Sequence, residues 1–138
     1  MHASDVSGHV FPSQRIFGEL RDDQMRMRPG TGLNSLIWLL WHMARTEDVA
    51  VNLVVAARGQ VFDGAWARRM NVARLDMGTG MTADEVAELS ARADVAGVRA
   101  YRSAVGARTR EVVAALRPGA WDEVLGLTGG ALAALTVA

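Results

Sequence analysis

The chain has 138 residues, fifteen basic and fifteen acidic side chains, a formal net charge of zero, no cysteine and three histidines. That length suits one domain around one hydrophobic core, and neutrality disfavours nucleic acid, whose binders carry a basic footprint. Without cysteine there is no disulfide scaffold, thiolate nucleophile or cysteine-ligated metal, so any metal must rely on imidazole and carboxylate, with His2, His9 and His42 all near the start.

Half of the residues are hydrophobic and only 6% aromatic, a mixture that suits packed helices better than a sheet. Residues 1–5 are polar and carry no secretory pattern. The strongest apolar run, residues 36–41, stops at His42, far short of the roughly 18 residues that span a bilayer. The expectation is a cytoplasmic protein without a membrane segment.

In chain order, residues 6–25 set Val10, Phe17 and Leu20 against Arg15, Glu19, Arg21, Asp22 and Asp23, the pattern of an amphipathic helix. Arg28-Pro29-Gly30-Thr31-Gly32 ends it. A long helix is predicted from Asn34 as N-cap to Arg58, with Gly59 just beyond. Leu36, Leu40, Met43, Ala50 and Val54 form one apolar stripe on it, and Ile37, Trp41, Ala44, Val51 and Val55 a second. Its polar sector is narrow and holds Asn34, Arg45 and Asn52, so neighbours should cover most of this helix.

Residues 60–81 form a long connection with a short helix over 65–70, and Phe62 and Trp66 anchor it to the bundle. Thr82-Ala83-Asp84-Glu85 is a capping box that opens a short helix through Leu89. From Asp94 to Leu116 the apolar positions Val95, Val98, Tyr101, Val105, Thr109, Val112 and Leu116 recur at helical spacing, with Arg99, Arg102 and Arg110 pointing away; Arg117-Pro118-Gly119 stops this helix. Residues 124–138 carry no charge, as would suit a short helix, an apolar plug or part of a subunit interface.

The stretch from Leu33 to Asp48, with Trp38, Trp41, His42, Glu47 and Asp48 at fixed spacing, resembles the second-helix signature of the DinB-like superfamily. Gly80-Met81-Thr82-Ala83-Asp84-Glu85-Val86 and Ala100-Tyr101-Arg102-Ser103-Ala104-Val105 are similar to that family as well. The resemblance covers residues 10–118. It implies an all-α four-helix bundle, here one domain over residues 1–138 with a shortened or replaced fourth helix and an atypical tail at 124–138. It further implies a divalent metal, zinc or nickel, held by three histidines, one of which matches His42. The other two form a His-x-x-x-His pair on the fourth helix, and no histidine follows His42 here, so metal retention requires a second subunit to contribute. Relatives of this kind include thiol-dependent, mycothiol-type transferases and isomerases, with a small-molecule thiol as partner.

Taken from the residues alone, His42 beside Trp38 is a hydrogen-bonded core residue, and His2 and His9 are surface residues. Glu47 falls inside an apolar stripe, where it either pairs with an Arg from another helix, Arg15 being one candidate, or stands unpaired as an acid or base; the ion pair is the expectation. Glu47 and His42 point about 140° apart on a helical wheel, which disfavours a His–Glu dyad. Trp38, Trp41, Trp66 and Trp121 read as core or interface. Arg26 and Arg28, and Arg99, Arg102 and Arg110, read as solvated helix faces. Gly78-Thr79-Gly80 follows no strand, which excludes a phosphate loop, and Ser35, His42 and Asp48 on one helix lack triad geometry. Two functions are therefore expected: a metal-dependent thiol transferase or isomerase with His42 as ligand, or a non-catalytic homodimeric bundle that binds a small ligand or a protein.

Overall fold

The computed structural model describes residues 12–120, and within them every regular element is helical. Helices α1 (Pro12–Phe17) and α2 (Asp22–Arg26) are followed by α3 (Leu36–Asp48), which continues without a break as a π-helix over Val49–Val55. Helix α4 (Gly64–Met70) crosses to α5 (Ala83–Arg92) and the long α6 (Val95–Ala115). The expected all-α bundle is present. His2, His9, Val10 and the tail at 124–138 with Trp121 lie outside the described residues, as does the expected replacement of a fourth helix.

The central pair is α3 against α6, with α4 laid on α6 and α2 on α3. Ile37, Leu40, Trp41 and Ala44 of α3 meet Val95, Val98, Tyr101 and Val105 of α6 in one core, joined by Met25, Met70, Val86 and Leu89. The apolar positions predicted along α6 therefore do face the core; of the seven, only Thr109 and Leu116 are merely half-buried. Asp94 caps α6 by accepting from the Gly97 amide at 2.6 Å. Gly97 is needed because a Cβ there would stand 2.4 Å from the carbonyl oxygen of Arg69, where α6 passes the end of α4.

The first predicted helix divides: Phe17 and Leu20 present carbonyls to Arg99 at 2.9 and 2.6 Å, and the chain turns between α1 and α2. Ser35, not Asn34, caps α3, its Oγ accepting from the Trp38 amide at 3.2 Å. The α-helix does not reach Arg58, since its last two turns widen into the π-helix, and the left-handed residue beyond it is Ala57 rather than Gly59. Helix α4 begins one residue earlier than predicted, and Phe62 and Trp66 pack on Tyr101, as the reading of that connection required. The capping box of α5 is present in both directions.

Arg26, Arg28 and Arg99, read as solvated faces, need correcting. Arg26 donates to the carbonyls of Ser90 and Ala91 at the end of α5, Arg28 to those of Leu33 and Ala83, and Arg99 to the end of α1. Arg26 and Arg99 satisfy carbonyls left open where a helix ends or the chain turns, and Arg28 reaches the first residue of α5, so these side chains join elements instead of merely facing water. Among the described residues no helix is long and apolar enough to cross a membrane.

Candidate functional site

Trp38, His42 and Thr46 stand on one row of α3, four residues apart. The Trp38 indole and His42 imidazole stack at 4.6 Å with planes 14° apart, and Thr46 Oγ1 donates to the His42 carbonyl at 2.8 Å. The ring is fixed at its other edge as well: Nδ1 lies 2.6 Å from the carbonyl oxygen of Met77. A carbonyl only accepts, so Nδ1 carries a proton, and in the neutral form of the ring the lone pair is on Nε2. His42 is half-buried.

The Met77 carbonyl is held in place by a tightly bonded loop. Arg74 makes a bidentate pair with Asp76, at 3.1 and 2.7 Å, and reaches Glu85 Oε1 at 2.7 Å. Asp76 Oδ1 also accepts from the Gly78 amide at 2.7 Å. Gly78 has φ +83, and a Cβ on it would lie 2.5 Å from Cζ3 of Trp41; only glycine allows both the left-handed backbone and that approach. The Trp41 indole N–H is buried without a hydrogen-bond partner among the described residues.

Burial works to raise the Asp76 carboxyl, but the Arg74 guanidinium, the Gly78 amide and nearby Arg45 outweigh it and hold the group below its ordinary value. Its folded pKa being depressed, its stabilising contribution is complete above the unfolded value of about 3.9 and is lost as pH falls through the folded one. The side-chain carboxyl carbon resonance of Asp76 should therefore titrate with a midpoint below about 4. A titration midpoint at or above that value would contradict this arrangement.

Beneath the loop lies a cluster that sequence reasoning placed wrongly. Arg45 and Asn52, assigned to the polar sector, are 2% and 0% exposed, and Asp48 is 0% exposed. Asp48 accepts from Tyr101 Oη at 2.6 Å, the Val61 and Phe62 amides at 2.8 Å each, and Asn52 Nδ2 at 2.7 Å. Arg45 donates to Gln60 Oε1 at 2.8 Å, the Leu75 carbonyl at 2.8 Å and Tyr101 Oη at 3.2 Å; its guanidinium lies 3.6 Å from Asp48 and 4.0 Å from the Phe62 ring centre. Burial, aided by Asp48, pushes the Tyr101 phenol above its ordinary value. This network ties both loops that follow α3 to the bundle. Its signal in the sequence was an Arg and an Asp three residues apart in the last turn of α3. Met43 and Val55, assigned to apolar stripes, are instead 47% and 41% exposed.

Glu47 pairs with an Arg from another helix, but with Arg102 at 2.9 Å in place of Arg15, and it also accepts from Thr109 at 2.7 Å. Ser35 is hydrogen-bonded to Ser90 at 2.6 Å, so Ser35, His42 and Asp48 each have separate partners and form no triad. A cavity of about 210 Å³ opens beside Arg74, Met81, Glu85, Glu88 and Arg92, and its charged walls are already paired. Among the described residues no group of three His, Cys, Asp or Glu could hold a metal ion. His42 Nε2 is one suitable donor, whereas an open catalytic zinc site takes three, so the described residues do not by themselves fit the metal centre.

The family model of the DinB superfamily matches residues 13–138. The match runs through the uncharged tail, past the stretch over which the motifs themselves carry a resemblance. No curated protein matches the chain.

Proposed function

Since the chain belongs to the DinB superfamily, we propose that it is a metal-associated bundle of the thiol transferase or isomerase type, with His42 as a metal ligand and a mycothiol-type small thiol as its partner. The observation that supports this reading is the 2.6 Å hydrogen bond from Nδ1 of His42 to the Met77 carbonyl. Ligating histidines characteristically donate their second nitrogen in this way, which fixes the tautomer and aims the free lone pair. His42 is thus prepared as a donor through Nε2, and Trp38 stacked on it restrains the ring. The remaining donors must come from outside the described residues or from a second copy.

A second reading has its own support. The exposed Met43 and Val55 on α3 and its continuation are apolar surface that association can cover, as in a non-catalytic homodimeric bundle that binds a small ligand or a protein.

One experiment separates the two. Purified protein equilibrated with zinc or nickel and then desalted should retain the metal in stoichiometric amount, and His42→Ala should lose it. A wild-type protein that emerges without metal, or a variant that retains as much, would refute the first reading. Light scattering at twice the chain mass would then support the second, and a monomer would count against it.

A further inference from the structure

Met77 C=O and Gly78 N–H belong to one peptide unit, and both of its ends are engaged. The N–H donates to Asp76 Oδ1 at 2.7 Å, and the oxygen accepts from His42 Nδ1 at 2.6 Å. We propose that Asp76 is a positioning residue for His42, acting through this peptide unit: its carboxylate orients and polarises the Met77–Gly78 amide, which in turn holds the imidazole proton on Nδ1 and the lone pair on Nε2. The inference deepens the reading of His42 as a donor and takes its purpose from that reading, while its geometry stands without any metal.

Three observations carry it. First, the order is chemically directional. An anion at the N–H end of an amide draws charge toward its oxygen, and linked hydrogen bonds strengthen one another in a partly buried site. The carboxylate therefore reinforces the acceptor that His42 uses, as a carboxylate in direct contact with a ligating histidine would.

Second, the peptide plane cannot easily turn. Arg74 grips both oxygens of Asp76, Arg45 donates to the Leu75 carbonyl at 2.8 Å, and Gly78 lies against Trp41 with no room for a Cβ. Third, Gly78 is left-handed, a conformation glycine adopts without steric cost, so nothing intrinsic to this backbone opposes the orientation that the two hydrogen bonds set.

The test reads the His42 ring by nitrogen NMR at about pH 8, above the ordinary imidazole range, in metal-free protein. Wild type should show a single neutral tautomer, protonated at Nδ1. Asp76→Ala removes the acceptor for the Gly78 amide and should give a mixture with the Nε2-protonated form. Asp76→Asn retains an acceptor oxygen and should restore the single tautomer, but with the Nδ1 proton shifted upfield because the charge is gone.

A folded Asp76→Ala protein that still shows one tautomer would overturn the proposal. Should that variant not fold, the Asn variant decides: Nδ1 and Gly78 amide proton shifts identical to wild type would show that the carboxylate charge does not act through the peptide. Because no metal is present in any sample, these outcomes are independent of whether His42 binds one.

Discussion

Asp48→Ala should destabilise the protein by about 3–5 kcal/mol, the cost typical of removing one partner from a buried ion pair. Asp48 is fully buried and serves four donors, two of them the backbone amides of Val61 and Phe62. Without its carboxylate, those amides and Tyr101 Oη lose their acceptor while the Arg45 charge stays buried. Small domains have only about 5–15 kcal/mol in total, so a large part of the stability is at stake. Tyr101→Phe removes two hydrogen bonds, one to Asp48 and one from Arg45, but leaves both charged groups their other partners, and should cost about 2–3 kcal/mol. Urea unfolding of the two variants checks the ranking, and a loss for Asp48→Ala no larger than for Tyr101→Phe would show that the network is not the anchor described.

Gly78→Ala should cost about 2–4 kcal/mol, combining left-handed strain with overpacking against Trp41. The second contribution can be isolated. Gly80 has a similar φ, +77 against +83, but a Cβ on it meets nothing within 4 Å. Gly80→Ala should therefore cost only about 1–2 kcal/mol, the backbone part alone. Equal losses in the two variants, measured by chemical unfolding, would mean that Trp41 yields to the added methyl and that the loop is softer than its contacts suggest.

How much of this was legible in the sequence depends on what each residue advertises. The α6 stripe from Val95 to Val112, the Thr82–Glu85 capping box and the docking of Phe62 and Trp66 could be read, because hydrophobic spacing and capping chemistry are local. The buried polar residues of α3 could not. Arg45, Asp48 and Asn52 are polar side chains whose burial is made tolerable by Tyr101, Gln60 and two backbone amides from distant positions, none of which a helical wheel includes. The wheel also assumed one pitch as far as Arg58, whereas the helix changes pitch at Val49.

The site shows the same division. His42 stood out as a candidate from its resemblance to a family motif, and its stacking on Trp38 followed from four-residue spacing. The carbonyl of Met77 and the carboxylate of Asp76 gave no signal, because their role depends on a loop whose path is set by Gly78 and by arginines reaching from elsewhere.

The change of pitch bears on how this fold tolerates mutation. A π-helix carries its hydrogen bonds five residues apart instead of four, so side chains after Asp48 turn through a different angle from those before it. Asn52 spans the junction by bonding to Asp48, which fixes the two halves in phase where the charge is buried. A change at the exposed Val55 should then be cheap, because it touches neither partner of that bond. Asp48 and Asn52 thus join the α-helical and π-helical parts of one continuous helix by a buried side-chain hydrogen bond.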